Sequence, residues 1–421
     1  MFEMRKTEVM VVGAGPVGLY TALLLAEQGI RVQILEEQWR AASRSYALAL
    51  HPASLRLLGK AGLAEQLVPA GYRVDQLVFY DRLERVGEIR FADLGGDYPY
   101  VLVLPQEGLE LFLRGRLERQ KVKVLWNHRV AQFGMEDEQV EIQVEKLGKD
   151  SSGYAVAGTE WVIDKSFKAQ AQFLVGADGH RSTVRRALGI DFETVGPAQT
   201  FAVFEFISDG IAEHEMRIVF DEGRTSVLWP MGKGRFRWSF EIEAPEEVVD
   251  PRVKSRLFVQ VRDETYPYVT EEKLNELIAE RAPWFEAEVA ELLWSAVIRF
   301  ERRLAREFGS ERAWLVGDAG HLAFPVAIQS MNVGFREAAR LAKRLGDVVR
   351  GSDSVSSLRT YNDESLSEWR ELLGLAGPNQ VAGDAEDWVK VYAERIPSCV
   401  PASGEDLKTL LGGIGLTLPK G

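Results

Sequence analysis

Three short stretches carry residue types that do chemistry only in company. Gly13-Ala14-Gly15-Pro16-Val17-Gly18 lies between a β-branched run, Glu8 to Val12, and an Ala/Leu-rich run, Leu19 to Gln28. This is a G-x-G-x-x-G turn between a strand and a helix. The first glycine permits the tight turn, the second lets a pyrophosphate approach the backbone, and the third lets the helix pack on the sheet. Free N–H groups and the dipole of the helix that follows this turn would face the phosphates. Glu36 ends the next strand, 18 residues after Gly18. At that spacing a carboxylate accepts the hydroxyl protons of a ribose. These residues specify a dinucleotide site that NAD(P) or FAD would fill equally well.

The second stretch, Ala177-Asp178-Gly179-His180-Arg181-Ser182-Thr183-Val184-Arg185, follows the apolar run Ala171 to Val175. Asp178 falls at a strand end, Gly179 permits a turn, and Ser182 is placed to cap the following helix. The third, Gly317-Asp318-Ala319-Gly320-His321, follows Ala313-Trp314-Leu315-Val316 and leads through Pro325 to Gln329, Asn332 and Gly334. His321 is read as a ring satisfying backbone groups in its loop and is assigned no proton chemistry.

The elements that position these stretches are legible in the hydrophobic pattern. Glu8–Val12, Leu19–Gln28 and Ile30–Leu35 form a βαβ unit, whose connection is expected to be right-handed. Gln106 to Arg119 reads as a helix, and Val122 to Trp126 as a strand. Val130–Val144 and Tyr154–Phe167 read as hairpin strands around a polar loop, Lys146–Gly153. From Thr200 to Ile242 strands follow one another without helices, which predicts a second, antiparallel sheet closed by Trp294–Phe300. Val253 to Arg281 reads as mainly helical, and helices are predicted at Met331–Val349, Leu358–Leu375 and Glu386–Arg395. Gly412-Gly413-Ile414-Gly415 has no preceding strand and reads as a turn, so there is one dinucleotide fold and not two.

Composition narrows the class. The 421 residues are 46% hydrophobic and 27% charged, which excludes disorder as the main state. A net charge of −12 without a long basic run argues against nucleic acid as a partner. One cysteine, Cys399, excludes an internal disulfide, and the five histidines lack ligand spacing, so no metal site is expected. The apolar stretch Val9 to Leu25 is broken by Gly13, Gly15, Pro16 and Gly18, so neither a signal peptide nor a membrane span is expected. A cytoplasmic protein, monomer or homodimer, is the expectation.

With these motifs in hand, the chain resembles the para-hydroxybenzoate hydroxylase-like (class A) FAD-dependent monooxygenases, from about residue 7 to residue 349. The resemblance implies an α/β fold: a discontinuous Rossmann-like FAD-binding domain with an inserted antiparallel β-sheet substrate domain and a helical C-terminal tail. The implied division is 1–198 (with a hairpin insertion at 130–168), 199–300 for the substrate sheet, 301–350 for the return segment, and 351–421 for the tail. FAD is the implied cofactor, with NADH or NADPH as a transient electron donor. An aromatic or polycyclic substrate and O2 are the implied co-reactants, meeting through a flavin hydroperoxide.

The resemblance also implies residue roles. Arg44, in Arg44-Ser45-Tyr46-Ala47-Leu48, matches an arginine that contacts FAD, and Gln106 matches a cofactor-contacting glutamine. Val130 stands where the family's backbone brackets the adenine. Asp178 and Gly179 belong to a turn that serves both FAD and the nicotinamide. Asp318 matches the aspartate that accepts from the ribityl chain, and the Pro325 carbonyl faces the reacting flavin. Gln329 and Asn332 begin a helix beneath the flavin pyrimidine, where its N-terminus favours negative charge. Ala327, Ile328 and Ser330 depart from the pattern, which has glycines there, and Glu337 replaces an aspartate. Phe204, Phe206, Trp229, Met231 and Trp238 are candidate substrate-pocket residues on the second sheet, with no acid or base assigned. The alternatives are a flavin-dependent reductase on this fold and a flavin-binding protein without oxygenase turnover. A halogenase lacks its expected motif, since Trp229 and Trp238 are isolated.

Overall fold

A computed structural model of the chain describes residues 5–39, 47–136, 138–150, 160–210, 214–243 and 269–419. The strand Arg5–Val12 pairs in parallel with Val32–Glu36 on one side and Glu160–Gly176 on the other. Its side chains alternate between two cores: Val9 and Val11 face one, Met10 and Val12 the other. Burial on both faces is why this strand reads as an unbroken apolar run. The sheet runs Gly309–Ser310, Ala313–Leu315, Glu160–Gly176, Arg5–Val12, Val32–Glu36, Val124–Trp126. The return strand Ala313–Leu315 pairs in parallel with Glu160–Gly176, so a segment more than 130 residues later completes the first fold.

Two sequence readings merge here. Glu160–Gly176 is one strand of 17 residues, where the pattern suggested a hairpin strand followed by a separate parallel strand. Its first part pairs antiparallel with Gln139–Asp150 and its last part joins the parallel sheet. Lys146 to Asp150, expected in the polar loop, continue the strand, and the rest of the expected loop with the start of Tyr154–Phe167 lies outside the described residues. Alternation cannot reveal a strand that changes partners along its length.

Among the described residues the second sheet has eight strands: His321–Leu322, Val289–Ala305, Phe192–Ser208, Arg235–Ile242, Arg224–Gly232, Glu215–Asp221, Gln76–Asp81, Glu84–Arg90. Gln76–Asp81 and Glu84–Arg90 come from the amino-terminal part of the chain, and the first of them joins Glu215–Asp221 in parallel. The strand Phe192–Ser208 shows period-2 division of its side chains. Phe201 and Val203 enter the core shared with the first fold, while Ala202, Phe204 and Phe206 enter a core under the helix Glu271–Arg281. Of the predicted Val253–Arg281 helix, only this last part falls among the described residues.

The 21-residue helix Gln329–Val349 packs on Pro16–Glu27, with Tyr20 edge-on to Phe335 at 5.3 Å. Gln28 joins the two helices by donating to the carbonyls of Leu24 and Ala342, both at 3.1 Å. The carboxy-terminal segment carries Asp387–Tyr392, Ile396–Cys399 and Glu405–Gly413, tied by the ribbon Gln380–Val381 with Leu416–Thr417. It lies on the second sheet: Trp388 packs against Phe79 (4.9 Å) and Tyr392 stacks on Phe220 (4.3 Å). Gly412 and Gly413 end a helix here, and only Gly415 turns left-handed, at φ 78°. Among the described residues no helix is long and apolar enough to cross a membrane.

Candidate active site

Three strand ends are stitched into one rim. Gly13 N–H donates to Leu35 O (2.8 Å), Ala177 N–H to Val12 O (2.8 Å) and Val316 N–H to Gly176 O (3.0 Å). Gly13 adopts φ 106°, and a Cβ there would lie 2.2 Å from the Ala177 carbonyl oxygen. A Cβ on Gly18 would lie 2.2 Å from Gly13 O, and one on Gly334 would lie 2.8 Å from a Val17 methyl. The glycines therefore let the three turns interlock around Val17 and Ala177.

A cleft of about 440 Å³ opens above this rim. Its floor comes from Gly15, Pro16, Val17 and Gly18, from Ala177, Gly179 and His180, and from Gly317 and Asp318. Ala47, Gln106 and Pro325 complete that side, and Trp294, Ile298, Phe300 and Phe324 provide apolar wall. The structure thus brings together the residues that the sequence scatters over more than three hundred positions.

The turns present acceptors and helix ends. The Asp178 carboxylate accepts from Thr183 N–H (2.7 Å) and Val184 N–H (3.1 Å) through one oxygen; its other oxygen has no partner. Burial raises the Asp178 pKa, with the donated hydrogen bonds acting against it. Ser182 caps the following helix by accepting from Arg185 N–H at 2.9 Å, as its position predicted. Asp318 opens into the cleft but sits at its protein-lined floor, and this surrounding raises its pKa while His321 lowers it. The helix Pro16–Glu27 begins at Gly15 with no side-chain cap, so its first N–H groups remain for an anion.

Arg185 ends the second motif, and the sequence pattern assigns it no role. Its guanidinium donates to Ala319 O (2.7 Å) and His180 O (2.9 Å), clamping the two aspartyl turns together. Glu337, noted in the sequence only as replacing the family's aspartate, is the other residue whose role was not read there. Fully buried, it accepts from Gly317 N–H (2.8 Å), Trp369 Nε1 (2.6 Å) and His321 Nε2 (3.1 Å). His321 was expected to satisfy backbone groups; it instead pairs with this carboxylate and stacks on Trp369 at 3.8 Å. Its partners lie 16 and 48 residues downstream, too far for a loop-level reading.

Glu36 ends its strand as expected, and its carboxylate holds the glycine turn itself, accepting from Ala14 N–H (2.7 Å) and Gln38 N–H (2.8 Å). A carboxylate offers about four lone-pair positions, so capacity for a ribose remains. Gln106 lines the cleft and donates to Glu110 at 2.7 Å. Burial pushes the Glu110 carboxyl up to about 7, opposed by Gln106. A raised folded-state pKa means that the native state binds the proton more tightly. Stability should then fall as pH rises from about 4.5 toward 7, losing roughly 1.4 kcal/mol for each pH unit crossed between those values. Glu110→Gln should therefore raise the urea midpoint at pH 8 and leave it nearly unchanged at pH 4. Equal midpoints for variant and wild type at pH 8 would contradict this.

Other expected positions fall elsewhere. Arg44 lies outside the described residues. Val130 lies on the strand His128–Glu136, opposite Val144, with its side chain buried beside Ile142 and Val144, and it does not line the cleft. Gln329 and Asn332 are buried behind the cleft wall; Gln329 donates to Pro397 O at 3.0 Å. Phe204, Phe206 and Trp238 lie on the sheet face turned away from the cleft, packed with Phe240 and Phe285. Trp229 and Met231 are on the near face but are packed into the core and do not line the cleft. The aromatic wall is instead on Val289–Ala305, whose Trp294, Ile298 and Phe300 share a face by their even spacing. That spacing was visible in the sequence; which face meets the cleft was not.

Ile328 stands at the N-cap of Gln329–Val349 with φ 54° and ψ 42°. A β-branched residue in this left-handed region costs roughly 1–2 kcal/mol. Its side chain lines the cleft, and the neighbouring Ser330 Oγ accepts from Ala323 N–H at 3.1 Å. The helix has no side-chain cap. Among the described residues no group of acidic, His or Cys side chains could hold a metal ion.

The arrangement fits FAD. A glycine cradle lies under an uncapped helix end for a pyrophosphate. The unpartnered Asp178 oxygen and the open Asp318 carboxylate accept from hydroxyl groups, and an apolar wall suits a planar ring. Comparison with known proteins agrees. Residues 6–373 match the sequence model of a family described as FAD binding domain. The chain is 29% identical over 370 residues to 6-methylpretetramide 4-monooxygenase of Streptomyces rimosus, covering 87% of this chain and 60% of that protein. It is 27% identical over 383 residues to a 3-(3-hydroxy-phenyl)propionate/3-hydroxycinnamic acid hydroxylase of Mycolicibacterium gilvum (strain PYR-GCK), covering 89% and 60%. The chain thus spans about 60% of the length of these relatives. In fold it is similar to p-nitrophenol 4-monooxygenase from Pseudomonas putida DLL-E4, with TM-score 0.72, 22% identity, and 98% and 97% of the two chains covered. It is also similar to aklavinone-11 hydroxylase crystallised with FAD and aklavinone, with TM-score 0.69, 22% identity, and 97% and 73% covered.

Proposed function

The chain belongs to the FAD binding domain family, and on that premise we propose that it is an FAD-dependent monooxygenase using NAD(P)H and O2 to hydroxylate an aromatic or polycyclic small molecule. The observation that carries this reading is the convergence of the glycine turn and both aspartyl turns on one cleft with an aromatic wall. The names of the relatives, which act on phenylpropionates and a pretetramide, support the substrate class.

In this reading Gly13, Gly15, Pro16, Val17 and Gly18 hold the pyrophosphate, and Glu36 holds a ribose. Arg44 supplies a counter-charge, and Gln106, which lines the cleft, contacts the nucleotide portion. Asp178 and Gly179 serve both FAD and the visiting nicotinamide, and Asp318 accepts from the ribityl chain. When bound, FAD would supply the redox chemistry, accepting two electrons from NAD(P)H and activating O2, one atom of which goes to the substrate and the other to water. The protein positions the reactants and excludes water. Pro325 lines the cleft, and its carbonyl already accepts from Ile328 N–H at 3.1 Å, leaving one lone pair. The uncapped helix Gln329–Val349, begun by Gln329 and shaped by Asn332, favours negative charge beside its first turn. Trp294, Ile298 and Phe300 orient an apolar ring. The single buried Cys399, its thiol pushed up to about 12 by burial, suits the reducing cytoplasm in which we place the protein.

The test is spectroscopic first. Purified protein should show flavin bands, with or without added FAD. NADPH and O2 consumption should then rise with one of a panel of phenols and polycyclic aromatics, and the product mass should rise by one oxygen. Asp318→Ala should weaken FAD binding by about tenfold to a hundredfold, the loss of a hydrogen bond to a charged acceptor worth roughly 1.5–3 kcal/mol. Unchanged flavin affinity would remove Asp318 from the site. A second reading, flavin binding without oxygenase turnover, is favoured by Ile328 and Ser330 in the cleft wall. Flavin bands with no oxygenated product from any substrate would select it.

A further inference from the structure

We propose that His51 is a positioning residue for FAD: it braces the cleft wall at Ala327 and Ile328 and thereby aims the uncapped end of Gln329–Val349. The inference rests on the flavin reading above but concerns a residue that stands behind the cleft wall and outside the three glycine and aspartyl turns.

His51 is fully buried at the N-cap of the helix Pro52–Lys60. Its ring Nε2 lies 2.7 Å from Ala327 O, 276 residues away. A carbonyl only accepts, so Nε2 carries the proton and Nδ1 is bare; Nδ1 indeed has no partner. Burial pushes the ring pKa down to about 3, so the imidazole is a neutral, fixed-tautomer donor. The His51 backbone N–H donates to Asn332 Oδ1 at 2.8 Å. Asn332 in turn donates to Ile328 O (2.9 Å) and Ala49 O (3.0 Å).

From behind the cleft, His51 therefore holds the Ala327 carbonyl directly, while Asn332, anchored by the His51 N–H and the Ala49 carbonyl, holds the next one, that of Ile328. Between them Ile328 holds a left-handed conformation that a β-branched residue does not choose by itself. Such a conformation persists only where its surroundings over-determine it. Ile328 is also the residue from which the helix departs, so its dihedrals set where the free first-turn N–H groups point. Losing the brace would let Ile328 relax and turn those groups away from a reduced, negatively charged ring. The expected readouts are a more negative flavin reduction potential and looser FAD.

The experiment compares wild type, His51→Phe, His51→Gln and Ile328→Gly in the full chain. Phenylalanine keeps the ring shape and removes the donor; glutamine restores an N–H near the Nε2 position. His51→Phe should weaken FAD binding by about tenfold, lower the reduction potential, and speed amide exchange at residues 327–332 in FAD-free protein. His51→Gln should recover most of each change. In the Ile328→Gly background, where the left-handed turn is intrinsic, His51→Phe should have a much smaller effect on exchange. If His51→Phe lowers thermal stability but leaves FAD affinity and potential at wild-type values, the residue is merely structural and the proposal falls. If wild type binds no flavin, the proposed function fails instead, while the exchange data still report on the brace.

Discussion

Gly13→Ala is expected to remove the cofactor site, whereas Gly15→Ala two positions later should leave the fold intact. The contrast follows from their surroundings. At Gly13 the backbone is at φ 106° and a new Cβ would sit 2.2 Å from Ala177 O and 2.6 Å from its carbonyl carbon. These are backbone atoms of the second motif's turn, pinned by the Ala177 N–H to Val12 O bond, so they cannot step aside without unpairing strands. Strain of roughly 1–2 kcal/mol adds to an overpacking cost of about 1–3 kcal/mol. A loss of that size is a large part of the roughly 5–15 kcal/mol typical of a folded domain. At Gly15, by contrast, φ is −70° and nothing lies within 4 Å of an added Cβ. Gly15→Ala should keep its unfolding free energy within about 0.5 kcal/mol of wild type yet bind FAD more weakly, because the methyl enters the path of the pyrophosphate. Chemical denaturation and flavin titration on both variants check this. A Gly15→Ala protein with undiminished FAD affinity would mean that no ligand approaches that turn.

Glu337→Ala should be the most damaging change among the polar residues, at about 3–5 kcal/mol. It would strip the acceptor from Gly317 N–H, His321 and Trp369 at once, in a fully buried position. The turn that presents Asp318 starts at Gly317, so FAD retention should fall together with stability. The pH dependence has a definite sign. Burial opposes ionisation of Glu337, but His321 and the donated hydrogen bonds outweigh it, and the carboxyl is held below the usual glutamate range. The unfolded chain then binds the proton more readily than the folded one. The stabilisation is complete above the ordinary glutamate pKa of about 4.3 and is lost as pH falls through the lower folded value. Urea midpoints of wild type and Glu337→Ala should therefore differ most above about pH 5 and converge in acid. A gap that stays constant down to about pH 3 would show that the lost stability is packing alone.

These two residues mark different depths of legibility. Gly13 could be assigned from its neighbours: a β-branched run, a glycine triplet at fixed spacing and a carboxylate at the next strand end define a local unit whose physics is complete within 36 residues. The aspartyl turns were legible for the same reason, since each is a strand–turn junction, and Ser182 capped its helix as its place required. Glu337 could not be read this way. Its meaning is a carboxylate meeting an amide, an imidazole and an indole from three separate segments, and no local pattern announces such a meeting.

The second sheet shows the same boundary. Period 2 along a strand separates Phe204 and Phe206 from Phe201 and Val203, and the two cores divide them that way. It could not say which set faces the cleft. The sheet is covered on both sides, by Glu271–Arg281 on one and by the first fold and the carboxy-terminal segment on the other, so both faces are apolar. By itself the sequence determined the dinucleotide unit, the aspartyl turns and the presence of a second sheet, all fixed by short-range sterics, hydrogen bonding and periodicity. The tertiary structure alone decided that Trp294 and Phe300 form the wall, that Arg185 and Glu337 hold the turns, and that Ile328 turns left-handed. Each of those depends on contacts between segments far apart in the chain, and their partners are set by how the two sheets pack.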